Sequence, residues 1–304
     1  FDDAEAMPFF EKEASRGRLE LRVAYYPRHT MLDELLRRNI RFGYGDDLFR
    51  VMGIKLFADG ALGSQSALCF HRYTGSKDNY GIQVMSTKEM VRIIRKAARL
   101  GFPCAIHGIG DRAVANILDA FEAARREPTG APHRIEHVQL IRRKDIPRLR
   151  RLGIVASMQP SHCPSDIPMI RAYWGARGRN AFLFRTFLET GIPLAFGSDA
   201  PIEPLDPLSG IADAVRRSRR GHRDRFYPEQ RLTAAEALYA FTVGPAIAVG
   251  QVHNSGFLLP GHLADLVILR EDITRIAADR LYDTPVLATI LDGRLRYCHS
   301  SLRL

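Results

Sequence analysis

Four residues set in short apolar runs offer the chemistry of a divalent metal site: Lys55 in GIKLFAD, His107 in PCAIHG, His137 in RIEHVQ and Asp199 in PLAFGSD. Imidazole nitrogens and a carboxylate form a donor set that accepts zinc, manganese, iron or cobalt. Taken singly, each has a plainer reading. A His inside an apolar strand is commonly a satisfied structural residue, and an Asp in a GSD turn is commonly a turn former. Taken together on one rim, two His, an Asp and a Lys amount to a preassembled metal site. Lys55 lies between Ile54 and Leu56 in a strand that should be buried on both faces. Desolvation there disfavours the ammonium form, which makes a neutral amine available for covalent chemistry or for a carbamate with carbon dioxide. An ion pair with Asp59 at the strand end is the alternative role for this lysine. Asp111, four residues after His107, and Glu136, beside His137, are candidates to orient the imidazoles, with surface or capping roles equally open for both. His162 in QPSHCPSD follows a strand and is a candidate substrate contact, or an ordinary loop histidine.

Every candidate falls within or at the C-terminal end of a strand-like run, where an α/β barrel places its active site. The runs are LRVAYYP (21–27), GIKLFAD (53–59), PCAIHG (103–108), RIEHVQ (134–139), GIVASMQP (153–160) and PLAFGSD (193–199). Amphipathic stretches such as TKEMVRIIRKAARLG, IPRLRRLG and AFLFRTFLETG lie between them, each closing on a glycine suited to a helix C-cap. This alternation predicts six βα units and a parallel α/β fold up to residue 250. After TAAEALYAFTVGPAIAVG the pattern changes to short strands punctuated by glycine, so residues 251–304 read as a small β segment. The Pro-rich AFGSDAPIEPLDPLSG reads as a long functional loop. ALGSQSALCFHRYTGSKDNYG and SHCPSDIPMIRAYWGARGRN read as loops that set specificity.

Composition restricts the class of protein. A chain of 304 residues, 46% hydrophobic and 26% charged, can bury one large core. It contains no run of eighteen apolar residues and no basic-then-apolar leader, which points to a cytoplasmic protein with no membrane partner. The chain opens on Phe1, suggesting an upstream part. Its four cysteines form no CxxC pair and read as reduced. The net charge of +10 is densest in RRSRRGHRDR (216–225). However, only six of the 44 basic residues are Lys, so arginine enrichment is general, and no aromatic interleaving marks a nucleic-acid surface.

The segments KLFADGALGSQSA, AIHGIGDRA, RIEHVQ, SMQPSHCPSD, AFGSDAPIEPLDPL and GFLLPGHLADLVIL, in that order, resemble the amidohydrolase superfamily, in its family-3 branch that includes N-substituted formamide deformylases. The resemblance implies a (β/α)8 (TIM) barrel of the metal-dependent hydrolase type with a composite C-terminal β-sandwich. It also implies one or two divalent metals, zinc foremost. In that family the equivalent of Lys55 is carboxylated and bridges two metals, His107 and His137 would bind one, and Asp199 the other. Asp199 would accept a proton from the attacking water and return it to the leaving nitrogen of a small amide-type substrate. The chain departs from the family at one point. The family's first strand carries a His-x-His pair, and no such pair occurs here; only His29 precedes Lys55. Counting strands back from GIKLFAD makes LRVAYYP the third, so the first two strands would be missing, the sheet would keep two open edges, and the chain as given would bind less than the full metal complement and be impaired as an amidohydrolase. A mononuclear aminohydrolase (deaminase) and a non-catalytic remnant are the rival readings, and a homo-oligomer is compatible with any of them.

Overall fold

The computed structural model describes residues 6–124 and 128–302; Phe1 lies outside them. The chain begins with α1 (Ala6–Ser15), β1 (Val23–Tyr25), α2 (Leu32–Arg37) and the short strands β2 (Tyr44–Gly45) and β3 (Phe49–Val51). Strand and helix then alternate through β4 (Ile54–Phe57), α3 (Thr87–Ala98), β5 (Cys104–Gly108), α4 (Asp111–Ala124), β6 (Arg134–His137) and α5 (Ile146–Leu152). Next come β7 (Val155–Met158), α6 (His162–Met169), α7 (Phe184–Glu189), β8 (Leu194–Phe196), α8 (Pro207–Arg216) and α9 (Ala234–Ala248). The tail holds β9 (Leu266–Leu269), α10 (Ala278–Leu281), β10 (Val286–Leu291) and β11 (Arg294–Cys298).

Helix boundaries follow local chemistry. Ser86 and Glu89 form a capping box at the start of α3, and Thr233 and Glu236 form one at the start of α9. Gly153, left-handed with φ 65°, ends α5 as the sequence predicts. Between β10 and β11, Asp292 and Gly293 both take positive φ, as a two-residue hairpin loop of the primed type requires.

Strands β4 to β8 form one parallel sheet in sequence order, which shows the expected α/β fold. The expected strand at 21–27 is β1, and it pairs in parallel with β3, a strand that the sequence analysis did not anticipate. A parallel bridge between Arg28 and Lys55, with Lys55 N donating to Pro27 O at 2.8 Å, then carries this segment onto β4. Between β3 and β4, Gly53 passes so close to Tyr26 that a Cβ would lie 2.0 Å from its ring, so this interruption requires glycine. Among the described residues the sheet stays open: β4 to β8 do not close on themselves, and the complete barrel is not formed. The tail strands make an antiparallel sheet in the order β11-β10-β9. Arg22, just before β1, ties it to the rest of the molecule through Asp265 at 2.5 Å and Asp292 at 3.1 Å.

Two expected loops take other forms. The segment 161–180 is α6 followed by a π turn at Ile170–Trp174 and a 3-10 turn at Gly175–Asn180. The Pro-rich loop ends early, because Asp206 accepts from the N–H groups of Leu208 and Ser209 and so caps α8. In the basic stretch, Arg217 is fully buried and donates to the carbonyls of Phe182 and Phe226, while Arg216 and Arg220 pair with Asp279 and Asp283 of the tail. Cys69, Cys104 and Cys163 are buried and Cys298 is exposed, all as free thiols. No described helix is long and apolar enough to cross a membrane.

Helix α9 lies directly against β8, where a Cβ on Gly244 would sit 2.0 Å from the Leu194 carbonyl oxygen. Helix propensity alone favours Gly244→Ala by about 1 kcal/mol. Close packing against backbone reverses that sign, so the substitution should destabilise the protein by about 1–3 kcal/mol. A lowered denaturant midpoint at unchanged m-value checks this; a raised midpoint would show that α9 does not pack as described.

Candidate metal centre

Strand alternation sorts the sheet into two unlike faces. Register places Lys55 beside Ala105, His107 beside Phe57 and Glu136, and Glu136 beside Ser157. These residues, with Arg134, share one face. Ile54, Leu56, Cys104, Ile106, Ile135, Ala156 and Met158 occupy the other and are buried in the apolar core. The charged face is nevertheless enclosed, with Lys55 only 1% exposed.

His137 should by strict alternation point away from this face, since its register partner is Gly108. Its backbone is left-handed, with φ 76° at His137 and 44° at Val138, and the alternation breaks there. The imidazole consequently meets His107 edge-on at 4.6 Å between ring centres and stacks on His162 at 5.9 Å. Asp199, three residues beyond β8, is also left-handed at φ 59°. Positive φ in these three non-glycine residues is local strain that the surrounding packing must sustain, and such strain gathers at functional sites.

The donor atoms of His137, His162 and Asp199 all lie within 4.8 Å of one another. His162 is the first residue of α6, and its Nε2 is buried without a hydrogen-bond partner, 3.9 Å from Asp199 Oδ2. His137 Nδ1 lies 2.9 Å from Gln159 Oε1, an acceptor, so Nδ1 carries the proton and Nε2 keeps its lone pair. The orphaned His162 nitrogen and the His/His/carboxylate chemistry fit a divalent cation. His107 adjoins this group with Nε2 3.0 Å from the Gly60 carbonyl and 3.5 Å from Asp59 Oδ1.

Electrostatics favours the metal-ready forms. Burial lowers Lys55 to about 8, with Glu136 and Asp199 opposing. Burial brings His107 down to about 4 and His137 well below the ordinary histidine value; His162 is lowered by the same cause against the pull of Asp199. All three imidazoles are therefore neutral near pH 7, with a lone pair to donate. Asp199 is raised by burial, although His162 and Lys55 counter the shift. Burial would also raise Glu136, but Arg134 and Lys55 outweigh it and hold the carboxyl down at about 2.

The remaining candidates, Asp59, Asp111 and Glu136, lie around this group. Asp59 accepts from the N–H groups of Leu68, Ile109 and Gly110 at 2.8–3.1 Å, and burial pushes it up to about 7. It thereby pins the loops after β4 and β5. Asp111, at the start of α4, accepts from Phe70 N at 3.0 Å and holds the same loop; the hydrogen bond described for it is to the backbone, not to an imidazole. Glu136 pairs with Arg134 at 2.5 Å, and Arg134 in turn stacks 3.8 Å over the Tyr26 ring. Sequence reasoning missed Gln159 and Gln139. Gln139 approaches His162 Nδ1 at 3.4 Å and donates to Asp166 at 3.1 Å. Their position, two residues beyond β6 and one beyond β7, was the available signal.

An α/β molecule with a parallel sheet and this donor set is a metal-hydrolase type of structure, and comparison with known proteins agrees. The model of the amidohydrolase family matches residues 2–297, and the chain belongs to that family, in its family-3 branch. It is 33% identical over 301 residues to YtcJ of Bacillus subtilis, covering 96% of this chain and 55% of that protein. It is 30% identical to the N-substituted formamide deformylase of Arthrobacter pascens, covering 82% of this chain and 46% of the relative. Among solved structures, an uncharacterized metal-dependent hydrolase from Pyrococcus horikoshii OT3 superposes with a TM-score of 0.83 at 31% identity, over 91% of this chain and 56% of that one. The chain thus spans about half the length of the relatives it matches.

Two outcomes follow from this geometry. Gln159→Leu removes the acceptor that fixes the His137 tautomer, and zinc affinity by isothermal titration should fall about 10–100-fold; an unchanged affinity would remove His137 Nε2 from the donor set. Glu136 has a folded value of about 2 against 4.5 unfolded, so its stabilisation is complete above 4.5 and is lost as pH falls toward 2. Denaturant midpoints between about pH 5 and 3 should therefore drop more steeply for the native protein than for Glu136→Gln. Equal slopes would contradict the ion pair.

Proposed function

We propose that the protein hydrolyses a non-peptide carbon–nitrogen bond of a small amide-type substrate at the β4–β8 sheet edge, with Asp199 as proton carrier. The observation that carries this reading is the cluster of His137, His162 and Asp199 donors beside a buried Lys55. A divalent metal, zinc foremost, would polarise the carbonyl and increase the acidity of water when bound. Lys55, His107, His137 and Asp199 would hold one or two such ions. Residues 1–250 would form the catalytic unit as an arc of a (β/α)8 barrel, and residues 251–304 part of a composite β-sandwich.

The residues have separable tasks. Asp199 is partly exposed and held above its ordinary range by burial, which suits a carboxylate that takes a proton from water and returns it to the leaving nitrogen. Lys55 Nζ, neutral more often than an ordinary lysine, can form an N–C bond to carbon dioxide with release of one proton, leaving an anionic carbamate. Glu136 and Arg134 balance the buried charge around it. The name of the Arthrobacter relative supports amide-type bonds as the substrate class.

Amine release from a panel of N-formyl and N-acyl amides by the metal-supplemented 304-residue protein is the test. Hydrolysis of at least one, abolished by chelation and restored by zinc, is expected; release of ammonia from a ring amine alone would favour a deaminase. Asp199→Asn should lower kcat by about 10²–10⁴-fold. Lys55→Ala should lose activity and regain part of it with short carboxylic acids, while failure of rescue would argue against a carbamate.

A further inference from the structure

We infer that His162 is itself a metal ligand, and that His137, His162 and Asp199 make a mononuclear site contained within this chain, for a small divalent cation such as zinc or cobalt. The inference rests on the metal-hydrolase reading above but departs from the ligand set taken from the family resemblance, in which no residue between β7 and β8 binds metal. Three observations support it. First, the three donor atoms lie within 4.8 Å of one another, a span that one ion at ordinary bond lengths of about 2.0–2.2 Å can bridge with small side-chain adjustment. Second, His162 is 93% buried, with Nε2 unpartnered and facing Asp199 across 3.9 Å. A buried imidazole nitrogen that neither donates nor accepts costs free energy unless something else satisfies it. Third, the ring lies nearly parallel to that of His137, with an interplanar angle of 11° and 5.9 Å between centres, so both rings present an edge to the same space.

Hydrogen bonds behind the ligands fit the same arrangement. A metal-binding histidine commonly donates its other N–H to a carbonyl or carboxylate. Gln159 supplies that acceptor to His137 at 2.9 Å. The Gln139 amide stands 3.4 Å from His162 Nδ1 through its nitrogen, and its Oε1 is buried without a partner. Turning that amide over, at the expense of its bond to Asp166, would give His162 the support that Gln159 gives His137. The two glutamines and two histidines then form matched pairs on successive strand ends. Such a site uses neither Lys55 nor His107.

Cobalt(II) binding to the full 304-residue protein tests this, read by visible absorption and titration. His162→Ala should weaken cobalt binding by more than about 100-fold, beyond the 10–100-fold cost of losing a residue that only orients a ligand. His162→Cys should bind cobalt and gain a thiolate-to-cobalt charge-transfer band that the native protein lacks. Should His162→Ala fail to fold, as judged by circular dichroism, His162→Gln serves in its place. Near-native cobalt affinity in His162→Ala or His162→Gln, or absence of the new band in a folded His162→Cys protein, overturns the inference. If Lys55→Ala and His107→Ala lose the metal under those conditions, the wider metal-hydrolase reading stands with the family's ligand set. Absence of cobalt binding by the native protein overturns both.

Discussion

A buried sheet face that carries charge is the constraint on which the rest of the molecule depends. In a parallel sheet covered on both sides, alternate residues are normally apolar on both faces. Here one face of β4 to β8 packs Ile54, Leu56, Ile106, Ile135 and Met158 into the core, while the other carries a buried Lys55 with the largely covered His107, Arg134 and Glu136. Removing ions from water costs several kcal/mol each, and deleting one partner of a buried pair commonly costs about 3–5 kcal/mol. Glu136 therefore stabilises both Arg134 and Lys55, whose like charges oppose each other. Burial above all keeps His137 neutral, and the Lys55 charge adds to it while Glu136 opposes. Structure and chemistry share these residues, so the sheet cannot be repacked with hydrocarbon without losing the site.

The second constraint is the departure from strand geometry at the strand ends. Regular alternation would bury His137 among helices, but two consecutive left-handed residues turn it toward His107 and His162. Asp199 reaches the same place from a loop by a similar backbone choice. Asp59 and Asp111 then fix the loops that follow β4 and β5 by accepting backbone N–H groups, which holds the site's rim to the sheet. At the opposite end of the chain, arginines link the tail to the body. Arg22, Arg216 and Arg220 pair with acidic residues there. Arg217 differs in being buried, and it satisfies two carbonyls.

Much of this was legible in the sequence, for physical reasons that differ by element. The strands at 54–57, 104–108 and 134–137 were visible as short runs with apolar residues, each lying between amphipathic helical stretches. Lys55 stood out because a lysine between Ile54 and Leu56 conflicts with its setting. What stayed hidden was set by tertiary contact. Residues 49–51 are too short a run to declare themselves, and their strand exists through pairing with β1. The segment at 161–180 is so rich in Pro, Ser and Gly that it reads as a loop, yet α6 begins at His162 and delivers that ring to the site. Positive φ at His137 leaves no trace in residue type, because histidine is not a residue that announces a left-handed backbone. The barrel was implied by resemblance alone, strand counting implied two open edges, and the described strands β4 to β8 form an open sheet.

The central claim is that the ends of β6, β7 and β8 converge on a cation. Anomalous diffraction from crystals of the protein grown with zinc, collected on both sides of the zinc absorption edge, measures this directly. The account predicts a strong peak bonded to His137, His162 and Asp199, with any second peak beside Lys55 and His107. A peak confined to Lys55, His107 and His137 would remove His162 from the centre, and no peak near any of them at saturating zinc would contradict the account as a whole.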